Sequence, residues 1–186
     1  MEIRKSELRR SLLKTRQSLS DREWRDLNNR LCVQLASHPN FVSAKTVLGY
    51  FSFRREPDLT PLVSDDRTWG FPRCVEKSLA WHRWQPGELL VEGAFGIREP
   101  HPETVSIDPE TVDLMLVPAV ACDRRGYRLG YGGGFYDRLL SHPAWQRVPT
   151  LGIVFGFACL PELPIDGWDR RLAGVCTESQ VWQVAG

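Results

Sequence analysis

Asp113-Leu114-Met115-Leu116-Val117-Pro118-Ala119-Val120 is the stretch whose reading decides the fold. It is almost continuously apolar, as expected of a strand covered on both faces. Downstream, a short loop over Ala121 to Tyr127 leads into Arg128-Leu129-Gly130-Tyr131-Gly132-Gly133-Gly134-Phe135-Tyr136-Asp137-Arg138. Gly134 to Leu140 can open a helix. Thr150 to Phe155 and Ala173 to Thr177 read as further strands. Upstream, Lys45 to Phe53 carries Thr46, Val47, Tyr50 and Phe51 and reads as a strand. The charged turn Arg54-Arg55-Glu56-Pro57 follows, then a short helix over Pro57 to Val63. Trp69 to Phe71 and Leu79 to Trp84 are expected short strands. At the start, Ile3 to Leu19 reads as an amphipathic helix with Ile3, Leu8, Leu12, Leu13 and Leu19 on or near one face. Ser20 and Glu23 have capping-box spacing for a second helix. Its stripe is Trp24, Leu27, Leu31 and Leu35, and His38-Pro39 ends it. Interleaved strands and helices predict one α/β domain over 1–186, with a central, largely parallel sheet between helices.

Composition narrows the function. Apolar residues make up 42% and charged residues 25%, within the range of ordinary globular chains. A formal charge of +1 gives no bulk attraction for nucleic acid or membrane. The stretch to Arg30 is basic, and such a helix is usually a solvated face. Cys32, Cys74, Cys122, Cys159 and Cys176 are odd in number and form no C-x-x-C pair, which points to a reducing compartment, the cytoplasm. The four histidines form no zinc motif, and no apolar run reaches membrane-spanning length. A monomer is the simplest expectation.

The glycine run carries the chemistry. Four of the five residues from Gly130 to Gly134 lack a Cβ, so backbone amides can approach an anion closely. The following helix start adds unpaired N–H groups. Arg128 can grip two phosphate oxygens, and Asp137 is a hard ligand suited to Mg²⁺. These parts suit polyphosphate and metal. The run is neither a Walker A loop nor a Rossmann fingerprint, since Phe135 holds the third glycine position. It can also be read as a plain tight turn, with Asp137 and Arg138 as ordinary first-turn residues.

The run resembles the signature of the 5-formyltetrahydrofolate cyclo-ligase family, also called methenyltetrahydrofolate synthetase. The likeness extends along the chain: Lys5 and Arg9; Phe51-Ser52, Glu56 and Asp58; Pro72-Arg73; Gly96-Ile97-Arg98-Glu99-Pro100; Asp113, Pro118, Asp123 and Gly126; Leu163-Pro164 and Asp169. It implies a fold similar to the sugar-phosphate isomerase and CoA-transferase group. It also implies ATP- and Mg²⁺-dependent closure of 5-formyltetrahydrofolate to the 5,10-methenyl form, a small-molecule folate being the only partner.

The resemblance assigns ATP to Lys5, Arg9, Arg128, Leu129, Gly130, Tyr131, Gly132, Gly133, Gly134, Phe135 and Tyr136. It assigns folate to Phe51, Glu56, Gly132, Gly133, Gly134, Phe135 and Tyr136. Arg128, Tyr136 and Asp137 are the catalytic candidates, and Asp137 and Asp169 the metal ligands. Simpler readings stand beside these: core packing for Phe51 and Trp84, a turn residue for Glu56, a surface acid for Asp169. The chain departs from many relatives in three ways. The segment between Asp58 and Pro72 is about one helical turn shorter, Phe135 replaces a tyrosine, and Ala173 stands where an acid is common. Two rivals are an isomerase on a similar fold, acting without ATP, and a binding protein without turnover.

Overall fold

A computed structural model describes residues 4–184. Ile3, expected at the start of the first helical stripe, lies outside the described residues. Helix α1 (Lys5–Ser18) lays Leu8, Leu12 and Leu13 on Val120, Ala121, Leu129 and Leu163. Helix α2 (Asp21–Ala36) begins with the expected box. Ser20 Oγ accepts from the Glu23 N–H at 3.3 Å, and Glu23 Oε2 accepts from the Ser20 N–H at 2.8 Å. Its Leu31 and Leu35 are fully buried. His38-Pro39 does end α2, but Pro39 then opens a short helix of its own, α3 (Pro39–Ser43), because proline suits a first helical position.

The strands are β1 (Thr46–Leu48), β2 (Thr68–Val75), β3 (Ser78–Arg83), β4 (Leu90–Glu92), β5 (Arg98–Pro100), β6 (Leu114–Pro118), β7 (Ala121–Asp123) and β8 (Arg128–Leu129). Helix α4 (Phe135–Ser141) comes next, then β9 (Thr150–Ile153), β10 (Cys159–Leu160), β11 (Gly174–Cys176) and β12 (Val181–Gln183). Seven of them form the main sheet in the order β12-β11-β9-β6-β1-β2-β3. The inner five run parallel. The edges, β3 and β12, run antiparallel to their neighbours.

Strand β6 lies at the centre and shows why its sequence is unbroken by polar residues. Leu114 and Leu116 pack with α2, Val47 and Trp69 on one face. Met115 and Val117 pack with Leu139, Trp145 and Val175 on the other. Successive side chains point to opposite faces, and both faces are covered.

Several expected elements change. The first strand stops at Leu48, because after the Gly49 N–H bonds to Gly70 O the chain leaves the ladder. Tyr50 to Phe53 are thereby released over the sheet's carboxyl edge. The helix expected over Pro57 to Val63 is a single 3₁₀ turn, Thr60–Leu62. The second strand is longer than expected and forms a hairpin with β3. Pro72 is tolerated there because the β1 ladder ends at Gly70, so no bond from β1 needs its missing N–H. The loop expected over Ala121 to Tyr127 contains β7, which pairs with β8. Buried Asp123 holds that corner, accepting from the N–H groups of Arg125, Tyr127 and Leu163. The pairs β4–β5 and β7–β10 are additions that sequence periodicity did not predict.

Replacing Ser20 with Ala removes one half of the α2 box and should cost about 1 kcal/mol. Urea denaturation tests this, and an unchanged midpoint would show that the cap contributes nothing.

Candidate active site at the carboxyl edge of the sheet

Among the parallel strands, chain order reverses between β1 and β6, which are spatial neighbours. Ligands in such sheets collect beyond the carboxyl ends at that point. Here Tyr50 to Glu56 leave β1, and Ala119 to Leu129 leave β6 for the glycine loop. Gly132 and Gly134 have φ of +104° and +66°, which side-chain-bearing residues rarely adopt.

Three buried polar groups near this point lack partners. Arg128 is buried, with its Nη2 2.9 Å from Asp137 Oδ1. The N–H directions miss that carboxylate, so Nε and Nη2 have no hydrogen bond. The guanidinium lies 5.4 Å from the centre of the Tyr136 ring, and the Tyr136 hydroxyl has no acceptor or donor either. Glu56 is 3% exposed; its Oε2 accepts from the Phe53 N–H at 3.1 Å, but its Oε1 is unpartnered. Buried polar atoms left this way call for a completing group, whether water, an ion or a ligand.

Burial pushes the Glu56 carboxyl up to about 7, against the pull of Arg16, the Phe53 N–H and the Tyr131 hydroxyl. That hydroxyl lies nearby without meeting hydrogen-bond geometry to Oε1. Arg16 Nη2 stands 3.9 Å from Oε1, too far for a direct bond. Burial also drives the Tyr136 and Tyr131 phenols up, so both stay protonated.

Helix α1 delivers its cations unequally. Arg9 Nε donates to Gly130 O at 2.7 Å, which puts it on the glycine loop. Lys5 Nζ lies 2.6 Å from Asp166 and 2.5 Å from Asp169. Asp169 is thus paired to a cation, as Asp137 is. The two acids are joined through the next residue, since the Arg170 N–H donates to Asp137 Oδ1 at 3.3 Å.

Phe51, Ser52, Phe53 and Asp58 line one side of a cleft of about 340 Å³, and Gly96, Ile97 and Arg98 the other. Phe51 stacks on Phe71 with centroids 4.4 Å apart and meets the edge of Trp84 at 5.0 Å. It therefore serves the core and the cleft together, whereas Trp84 is 7% exposed and is core. Phe135 faces exposed Phe95 at 6.0 Å. A larger recess of about 550 Å³ lies behind α4 beside Trp145, Thr150 and Ala173. None of the unpartnered groups above lines it.

Residues 2–178 match the model of the 5-formyltetrahydrofolate cyclo-ligase family. The chain belongs to that family. It is 30% identical over 180 residues to the Escherichia coli K12 5-formyltetrahydrofolate cyclo-ligase, covering 90% of this chain and 97% of the relative. The Mycolicibacterium smegmatis cyclo-ligase is 33% identical over 191 residues, covering 93% of each. The solved Aquifex aeolicus 5,10-methenyltetrahydrofolate synthetase superposes with a TM-score of 0.86 at 37% identity, over 98% of this chain and 93% of that one. A Mycoplasma pneumoniae synthetase shares the fold, with a TM-score of 0.74 at 22% identity, over 95% and 99%. The chain is therefore an enzyme of the carbon–nitrogen cyclo-ligase class.

Among the described residues, no cluster of three or more His, Cys, Asp or Glu could hold a metal by itself. Asp137 and Asp169, the two acids expected as metal ligands, each lie against a cation, Arg128 and Lys5, and two carboxylates alone would leave most of a Mg²⁺ shell to phosphate oxygens and water. Ala173 precedes β11, and its N–H binds Thr150 Oγ1 at the start of β9, at the amino end of those strands. Two site residues escaped the sequence reading. Arg16 falls in a stretch whose basic composition predicts a solvated face, yet it is 3% exposed. Its signal was available, since it lies four, seven and eleven residues from Leu12, Arg9 and Lys5 along one helical line. Phe95 had no local signal, because its contact with Phe135 is made only by the β4–β5 hairpin.

Replacing Tyr136 with Phe removes a hydroxyl that bonds to nothing in the protein. The variant should match the parent in thermal stability or exceed it by up to about 2 kcal/mol. A loss of more than that in calorimetry would mean the hydroxyl has a partner in the folded chain.

Proposed function

We propose that the chain spends ATP and Mg²⁺ to cyclise 5-formyltetrahydrofolate to 5,10-methenyltetrahydrofolate, releasing ADP and phosphate, as a cytoplasmic monomer. The observation that carries this reading is the buried Arg128 guanidinium beside the glycine loop, ion-paired to Asp137 but with two nitrogens lacking a hydrogen bond. A charge is kept inside a protein at such a place only if something completes its shell. A phosphoryl group offers the planar pair of acceptors that a guanidinium fits.

The N5-formyl group is an amide, and its oxygen is a poor leaving group. In the proposed reaction this oxygen attacks the γ-phosphorus, and the bond to the β-bridging oxygen breaks as ADP leaves. The formyl carbon becomes an iminium phosphate, and the N10 lone pair adds to it. The C–O bond then breaks with loss of phosphate, N10 gives up its proton, and the methenyl bridge remains. Such a path needs positioning and charge neutralisation more than covalent help.

Arg128 neutralises charge on the transferring group. Arg9 and the amides from Leu129 to Gly134 hold the triphosphate, and Lys5 exchanges Asp169 for phosphate oxygen. Asp137 and Asp169 hold Mg²⁺, which supplies further neutralisation when bound. Glu56 Oε1 accepts from an N–H edge of the pterin, and the Tyr136 hydroxyl bonds near the formyl group. Phe51, Phe135 and exposed Phe95 form apolar walls for the flat rings.

Purified chain with Mg·ATP and 5-formyltetrahydrofolate should develop the near-ultraviolet band of the methenyl product, with one ADP per turnover. Product formed without ATP would favour an isomerase-like rival. Asp137→Asn should lower kcat by roughly a hundredfold or more while circular dichroism stays unchanged; near-parental turnover would remove Asp137 from the chemistry. Lys5→Ala combined with Arg9→Ala should raise KM for ATP more than for folate, and the reverse pattern would move both off the triphosphate.

Glu56 adds a pH dependence. The pterin contact needs the carboxylate, which predominates above about 7 and is protonated as pH falls through that value. Folate affinity should therefore weaken on acidification through about 7, and Glu56→Gln should flatten that limb. A flat profile in the parent would exclude Glu56 as the acceptor.

A further inference from the structure

Arg16 stands where three segments of the site meet. Its Nε donates to Arg54 O at 3.0 Å, in the turn after β1. Its Nη1 donates to Ala119 O at 3.1 Å, just after β6. Its Nη2 donates to the Tyr131 hydroxyl, in the glycine loop. One buried guanidinium thus bonds to both sides of the topological switch and to the loop between β8 and α4.

The turn it holds is strained. Arg54 and Arg55 have φ of +48° and +59°, two successive left-handed residues without a glycine. Each is disfavoured by its Cβ and persists only where the surroundings fix it. Arg16 grips the first carbonyl. Trp24 Nε1 donates to the next two, at 3.2 Å to Arg55 O and 3.3 Å to Glu56 O. This conformation carries Glu56 inward with its Oε1 unpartnered. Tyr131 is steered the same way: its ring lies 5.9 Å from that of Phe53, which lines the cleft.

We propose that Arg16 is a positioning residue for the folate, fixing the Arg54–Glu56 turn and the Tyr131 ring, which together hold Phe53 in place on the wall of the cleft. This rests on the folate reading above. Lys5, Arg9 and Arg16 share one line on α1, separated by four and seven residues. The helix spans about 16 Å between the first and the last. It meets the proposed triphosphate site at one end and the proposed folate wall at the other. Arg16 acts through Glu56 and Tyr131 and touches no reacting atom. Five donors in a rigid fork suit three acceptors on separate segments, which a lysine ammonium cannot reproduce.

The test uses the full chain. Dissociation constants for 5-formyltetrahydrofolate and for Mg·ATP are measured separately by calorimetry, with KM for each alongside. Arg16→Gln should weaken folate roughly tenfold or more and leave ATP within about twofold. Tyr131→Phe should give part of the folate effect and add little once Arg16 is replaced. Arg16→Lys should recover only part of the affinity. Parental folate affinity in Arg16→Gln would overturn the proposal, as would equal losses for both ligands. If Arg16→Gln does not fold, Tyr131→Phe decides alone: a weaker folate affinity with unchanged ATP affinity supports it, and no change sinks it. Failure of the parent chain to form methenyl product would instead refute the cyclo-ligase chemistry proposed above.

Discussion

Two guanidinium groups are buried at the carboxyl edge of the sheet, and the site is organised around keeping them there. An isolated charge in a protein interior is strongly disfavoured unless acceptors surround it. Arg16 meets that demand with a carbonyl from each side of the switch point and a tyrosine hydroxyl. Arg128 does not meet it fully. Asp137 stands beside it at 2.9 Å, but two of its nitrogens remain without hydrogen bonds. The first arginine is therefore complete as it stands and builds structure. The second is incomplete, which is the property expected of a group waiting for an anion.

The fold supplies the conditions for both. Parallel strands require covered faces, so β6 is apolar on both sides and the polar machinery is confined to its end. The early end of β1 at Leu48 matters as much. It frees Tyr50 to Glu56 to turn back over the sheet edge, where a longer strand would have carried them past it. The carboxyl of Glu56 then sits in a place dry enough to shift its titration to about 7. The same burial keeps the Tyr136 phenol protonated as a donor.

Not every acid in the family-like pattern plays a chemical part. Asp123 is fully buried and spends its oxygens on the N–H groups of Arg125, Tyr127 and Leu163. It shapes the corner from which β8 and the glycine loop depart. Asp113 likewise accepts from the N–H groups of Lys45 and Thr46, fixing the entry to β1 against β6. Residues that share a motif with the glycine loop can serve it by holding backbone alone.

The sequence by itself determined the α/β class, the central strand, the capping box and the glycine run with Arg128 and Asp137. These are local signals, set by apolar continuity, side-chain spacing and the missing Cβ atoms. It also carried the family, because the motif residues recur in order along the chain. Only the tertiary structure decided that Arg16 is inside, that Phe95 meets Phe135, that Lys5 lies on Asp169, and that Glu56 is dry. Each depends on a neighbour distant in sequence: Ala119 and Tyr131 for Arg16, a hairpin for Phe95, the 161–170 segment for Lys5. A helix made of basic residues reads as solvated until the chain returns to cover one of them, and no local pattern states which one that will be.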